Sequence, residues 1–199
     1  MKTVIAVGGI ALSAALALAP APAAAEDFTG PRIEAHAGWD RLGVDSTAFK
    51  IDDDNDGVVY GVGVGYDVAA SPSIVAGLEA EFDLSDADLR TVNGTTTASV
   101  EAKRDISVAA RLGAKVGENV LVYAKAGYSN ARLKGVITTG GTTGPTTTEI
   151  SGNGDGLRVG GGLEFALGGG AYAKAEYRYS DYEGGVTRHQ ALTGFGFRF

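Results

Sequence analysis

The chain has 199 residues, with 31 glycines, no cysteine, a single tryptophan and a formal net charge of −7. Without cysteine there is no disulfide framework, thiolate metal site or cysteine nucleophile, and the acidic balance argues against a nucleic-acid-binding domain. Glycine at about twice its usual ~7% share fits neither a helical bundle nor a charged tail, and leaves open many short strands with closely packed backbones.

In chain order, residues Met1–Ala25 read MKTVIAVGGIALSAALALAPAPAAA. One charge (Lys2), an apolar stretch from Val4 to Ala19 and the small residues Ala23, Ala24 and Ala25 follow the three-part order of a cleavable signal peptide. The apolar stretch falls short of the ~20 residues that a spanning helix needs. The expected organisation is therefore a signal peptide over 1–25 and one domain over 26–199. Export without cysteine fits a bacterial envelope protein. No later apolar run is long enough to cross a bilayer as a helix, so a membrane location would require strands.

Period-two alternation predicts eight strands: Arg32–Asp40, Gly57–Asp67, Ile74–Leu84, Asp105–Val116, Val120–Ser129, Gly156–Leu167, Ala171–Tyr179 and Gln190–Phe199. One face of every strand is free of charge, for example Val58, Tyr60, Val62, Val64 and Tyr66 in the second. The opposite faces hold Arg32, Glu34, Glu79, Glu81, Asp83, Arg111, Lys115, Lys125, Arg158, Glu164, Lys174, Glu176, Arg178 and Arg198, with glycine at many remaining positions. A soluble sandwich also alternates. Two features favour a membrane. Aromatic residues gather near the strand ends, with Trp39, Tyr60, Phe82, Tyr128, Tyr177 and Tyr179 towards one rim and Tyr66, Phe165, Phe197 and Phe199 towards the other. Strands of ~9–11 residues also suit a tilted bilayer crossing.

The connections alternate in length. Arg41–Asp56, Ser85–Arg104, Asn130–Asp155 and Ser180–His189 are long, whereas Val68–Ser73, Gly117–Asn119 and Gly168–Gly170 are short. Long outer loops, short periplasmic turns and an even strand count predict an eight-stranded antiparallel up-and-down transmembrane β-barrel of the bacterial outer membrane. Closure is required because an open sheet edge in lipid leaves backbone groups unpaired.

Three groups of residues could carry chemistry. Glu34, Glu79, Glu81, Arg111, Lys125, Arg158, Glu164, Lys174, Glu176, Arg178 and Arg198 are predicted to form a charge network in the lumen. An eight-stranded lumen is about wide enough for side chains alone, so a salt-bridged plug is preferred to a narrow path for ions or small solutes. Asp52, Asp54 and Asp56, before Gly57, match the opening of a calcium loop, but Gly63 stands where the twelfth-position Glu belongs. No metal is assigned, with that acidic run as a weak candidate. For catalysis only His36 and His189 are available as imidazole bases, and neither sits in a recognisable nucleophile–base pattern. The expectation is no enzyme and no cofactor.

The segments GVVYGVGVGYDV (Gly57–Val68), VYAKAGYSNARL (Val122–Leu133), YAKAEYRYSDY (Tyr172–Tyr182) and the terminal GFGFRF (Gly194–Phe199) carry a likeness. With the signal peptide, they resemble the small porin-opacity type of outer-membrane β-barrel, which shares its architecture with the transmembrane barrel of OmpA. The terminal pattern Phe195-x-Phe197-x-Phe199 resembles the C-terminal signal read by the outer-membrane assembly machinery. The likeness covers essentially all of the chain after Ala25, without the peptidoglycan-binding domain of OmpA, and so implies no wall-tethering role. His189 is followed by Gln190 and Ala191, unlike the His-x-Ser pattern of the lipid A deacylase family. The resemblance implies a structural and surface-interaction barrel with four exposed loops, and outer-membrane lipids and lipopolysaccharide as its surroundings. Arg90, Lys103, Arg104, Arg132 and Lys134 stand near the outer rim, where phosphates would lie.

Overall fold

The computed structural model describes residues 28–44, 55–86, 88–93, 96–141, 144–183 and 185–199. The strands are β1 (Gly30–Val44), β2 (Asn55–Ser71), β3 (Ile74–Ser85), β4 (Asp88–Asn93), β5 (Thr96–Val116), β6 (Val120–Gly141), β7 (Gly144–Gly168), β8 (Ala171–Tyr182) and β9 (Val186–Arg198). All neighbours pair antiparallel. Pairing of β1 with β9 and of β3 with β5 closes the sheet into an eight-stranded barrel.

β4 is not a ninth stave. β3 pairs with β5 up to Leu84 opposite Arg104, and β4 resumes on the same strand at Asp88 opposite Glu101. The chain thus breaks step once and continues upward beside β5. Facing it, β5 and β6 slip register between Ala102 and Arg104. β6 and β7 stay paired from Val120–Phe165 to Gly141–Gly144. At ~3.3 Å per residue, the part of β7 before Asp155 adds roughly 35 Å of strand above the barrel. The segments Ser85–Arg104 and Asn130–Asp155, expected as loops, are therefore largely hairpin arms. Their backbones make the ladder bonds of any antiparallel pair.

The other end is trimmed close. Pro72–Ser73, Gly117–Asn119 and Gly169–Gly170 turn the chain there, and both described chain ends lie beside them. Gly168, Gly169 and Gly170 all have positive φ (90°, 62° and 84°), which a side chain would strain. Because Cβ atoms alternate across a strand, each stave puts one set of residues outside and the next inside. Val58, Val62, Val64, Leu78, Val108, Leu112 and Leu157 are exposed on the outer wall, and the charged sets face inward. Glycines inside make the room. A Cβ on Gly61 would lie 2.7 Å from His36 Nε2 and press on the Asp83 carboxylate; one on Gly65 would lie 2.8 Å from the Arg32 guanidinium.

Candidate functional site

Buried side chains line the lumen in layers set by the strand register. At the lower mouth Phe28, Val75 and Leu121 form a buried apolar seal with Ala166 packed against it. Phe28 precedes β1 and has a positive φ of 52°. The Arg198 guanidinium caps the seal, 5.5 Å from the Phe28 ring centre and 4.9 Å from that of Tyr172.

Above the seal, Asp67 accepts from Arg32 Nε at 3.1 Å and from Arg198 at 2.9 Å. Glu164 accepts from Arg111 at 2.9 Å and from Arg198. Arg111 also lies over the Tyr123 ring, 4.4 Å from its centre. In the middle layer Glu34 accepts from Arg32 and the Tyr172 hydroxyl, both at 2.8 Å, and from Lys174. Lys125 donates to Glu79 at 2.6 Å and to Glu81 at 3.0 Å, and pairs with Glu176 at 2.8 Å. Arg178 joins Glu81, Glu176 and Asp83, the last at 3.0 Å. Tyr123 donates to Glu176 at 2.5 Å.

The upper layer has two centres. Asp83 accepts from His36 Nε2 at 2.6 Å, and Arg158 approaches it at 3.4 Å. Asp105 accepts from Arg158, from the Tyr182 hydroxyl at 2.7 Å and from Arg188 at 3.2 Å. Arg188 also donates to Asp40, at 2.7 Å from its Nε. Among the described residues, eight basic and nine acidic side chains are buried in this way. Near-balance of charge is what a low-dielectric interior demands, because an unpaired buried ion costs far more than a paired one. His36 lies among Glu34, Glu81 and Asp83, and its Nδ1 has no hydrogen-bond partner. The oxygens of Glu34 and Glu81 are already held by Lys174, Lys125 and Arg178, so a metal ion there would have to displace a cation.

The structure gathers Glu34, Glu79, Glu81, Arg111, Lys125, Arg158, Glu164, Lys174, Glu176, Arg178 and Arg198 into this single network, each no more than 5% exposed. The network also takes in Asp40, Asp67, Asp105, His36, Tyr123, Tyr172, Tyr182 and Arg188. The same inward alternation would have found most of them. In the acidic run, Asp52 and Asp54 lie outside the described residues, while Asp56 is exposed and stands opposite Arg41. Phe195, Phe197 and Phe199 are on the outer wall near the lower end, and the rings of Phe195 and Phe197 meet edge-on at 5.3 Å. At the upper rim the Tyr128 hydroxyl and the Asn130 amide donate to Asp155 and hold its carboxyl below the usual carboxylate range.

Comparison with known proteins agrees with this architecture. A family model described as "Outer membrane protein beta-barrel domain" matches residues 10–199. The attachment invasion locus protein Ail of Yersinia pestis superposes with a TM-score of 0.55 at 20% identity, covering 86% of this chain and 99% of Ail. Neisserial surface protein A gives a TM-score of 0.55 at 14% identity, covering 86% and 98%. A search of curated protein sequences finds no match. At these identities the solved structures speak for the fold.

Proposed function

The chain belongs to the outer membrane protein beta-barrel family of the bacterial outer membrane, and from that premise we propose that it is a non-conducting structural and surface-interaction barrel. One observation carries this reading: paired acidic and basic side chains are buried in the lumen, above the apolar cluster of Phe28, Val75 and Leu121. An eight-stranded barrel has no spare width once those side chains are in place. Catalysis forms no part of the reading; the lumen imidazole of His36 bonds Asp83 and the rim imidazole of His189 bonds Tyr177.

In this reading the closely turned end, with both chain ends, faces the periplasm. The β4–β5 and β6–β7 arms stand outside the cell and present the interaction surface. Residues 1–25 serve as a cleaved export signal, and Phe195, Phe197 and Phe199 as the mark read by the assembly machinery. Lipopolysaccharide surrounds the upper girdle.

Planar-bilayer recording tests the central claim. The purified barrel should give no stable unitary conductance. Reproducible channels whose ion selectivity changes with Lys125→Glu would overturn the plug and establish a narrow porin-like path.

A further inference from the structure

Strand register brings four side chains of β1 and β3 together in the lumen. Across β2, Glu34 stands opposite Gly63 and Gly63 opposite Glu81. Two residues along, His36 stands opposite Gly61 and Gly61 opposite Asp83. The middle strand thus contributes a glycine to both rows. A Cβ on Gly63 would lie 3.0 Å from Glu34 Cγ, and one on Gly61 would lie 2.7 Å from His36 Nε2. Without those side chains, the groups of β1 and β3 meet over β2.

The imidazole in this cradle has a fixed orientation. His36 Nε2 lies 2.6 Å from Asp83 Oδ1. A carboxylate can only accept, so Nε2 carries the proton and the neutral ring keeps its lone pair on Nδ1. The side chain is fully buried, and Nδ1 has no hydrogen-bond partner. Nδ1 lies 3.9 Å from Glu34 Oε1, and with an oxygen of Glu81 the three atoms stand within 4.8 Å of one another. One nitrogen and two carboxylate oxygens therefore converge. A carboxylate behind the other ring nitrogen is the arrangement that orients metal-ligating histidines. Among the described residues, the lumen also buries nine acidic against eight basic side chains, a balance that favours one more cation.

We propose that His36 Nδ1, Glu34 and Glu81 bind one divalent transition-metal ion of the zinc class, with Asp83 positioning the ring. An imidazole with two carboxylates suits such an ion better than calcium, which takes at least six oxygens. A tetrahedral ion ~2.0–2.1 Å from each ligand sets them about 3.3 Å apart, so the flexible glutamates close in by roughly 1 Å. The ion competes with Lys174, which pairs with Glu34 and lies 3.7 Å from Glu81. On withdrawing, Lys174 keeps Glu176, at 3.4 Å. Lys125 and Arg178 also hold Glu81, and each has Glu176 as a further partner. Since the ligands are buried in the closed barrel, the ion enters as the barrel folds.

The tag-free barrel is refolded from urea into detergent with zinc chloride, cleared of loose zinc on a chelating resin and assayed by elemental analysis. About one zinc per chain is expected. His36→Gln keeps a donor for Asp83 and should retain zinc about ten-fold less or worse, with heat-modifiable gel mobility unchanged. The chain's other histidine is the control: His189→Gln should retain as much zinc as the parent. Lys174→Met removes the competing ammonium and should load at a zinc concentration about ten-fold lower. X-ray absorption at the zinc edge reads the parent without any substitution, and should show one imidazole among oxygen ligands. A refolded parent without zinc, zinc undiminished in His36→Gln, or zinc lost with His189→Gln would overturn the site. So would a spectrum lacking imidazole, or a Lys174→Met barrel that loads no more readily than the parent.

Discussion

Ala110 and Arg111 are consecutive residues of β5, yet they live in opposite solvents. Ala110 is exposed on the lipid-facing wall, and Arg111 is 3% exposed in the lumen, donating to Glu164. The comparison shows that polarity in this molecule is assigned by parity. The same guanidinium is tolerated at one position because its partners are in place, and at the next it has only hydrocarbon to face. Inside and outside have exchanged the roles they hold in a water-soluble protein.

The largest effect should come from emptying the inner position. Arg111→Ala leaves Glu164 and Asp67 short of a partner, and breaking a buried pair in this way costs about 3–5 kcal/mol. Urea titration in micelles, followed by Trp39 emission, measures it. Adding Glu164→Gln should recover part of the loss, since it removes the stranded charge; a double variant no better than the single would break the argument from pairing. Next in size is the reverse exchange. Ala110→Arg puts a charge on the wall and should cost about 2–4 kcal/mol if that position lies near the bilayer midplane, whereas Ala110→Val should stay within about 0.5 kcal/mol. A harmless Ala110→Arg would mean that this wall does not face lipid.

The smallest effect concerns the rim, where water reaches both faces. Tyr128 and Asn130 hold the Asp155 carboxyl below its ordinary value, so its contribution is present above the unfolded-state pKa near 4 and fades as pH falls through the lower folded value. Unfolding midpoints measured on descending below pH 4 should therefore drop slightly more in the parent than in Asp155→Asn. Identical profiles would remove Asp155 from the account.

The contrast between the two walls was legible in the sequence because alternation with period two writes it directly into the residue order. Ile33, Ala35 and Ala37 against Arg32, Glu34 and His36 needs no tertiary information to be read. The arms were not legible for the same reason. Thr138–Thr148 is mostly threonine and glycine with no apolar alternation, so nothing in the residue order distinguishes the pairing of Thr138 with Thr147 from a loop. Phe28 was also missed. A single ring between Asp27 and Thr29 has no periodicity to declare it, and its place in the lumen depends on Val75 and Leu121 from distant strands. Tyr123, Tyr172 and Tyr182 point inward by alternation, but tyrosine suits either a girdle or a hydrogen-bonded interior, and only their partners decide between them.

The closing seam has a consequence in time. Lys174 donates to Glu34 across a sequence separation of 140 residues, and Arg188 to Asp40 across 148. Asp40 thus takes its cation from β9, and Glu34 accepts from both Lys174 of β8 and its strand neighbour Arg32. A nascent barrel holding only its early strands carries uncompensated acid and an open edge together, and one event relieves both. Closing the β1–β9 seam therefore completes both the backbone ladder and these charge pairs, and contacts between such remote segments slow folding.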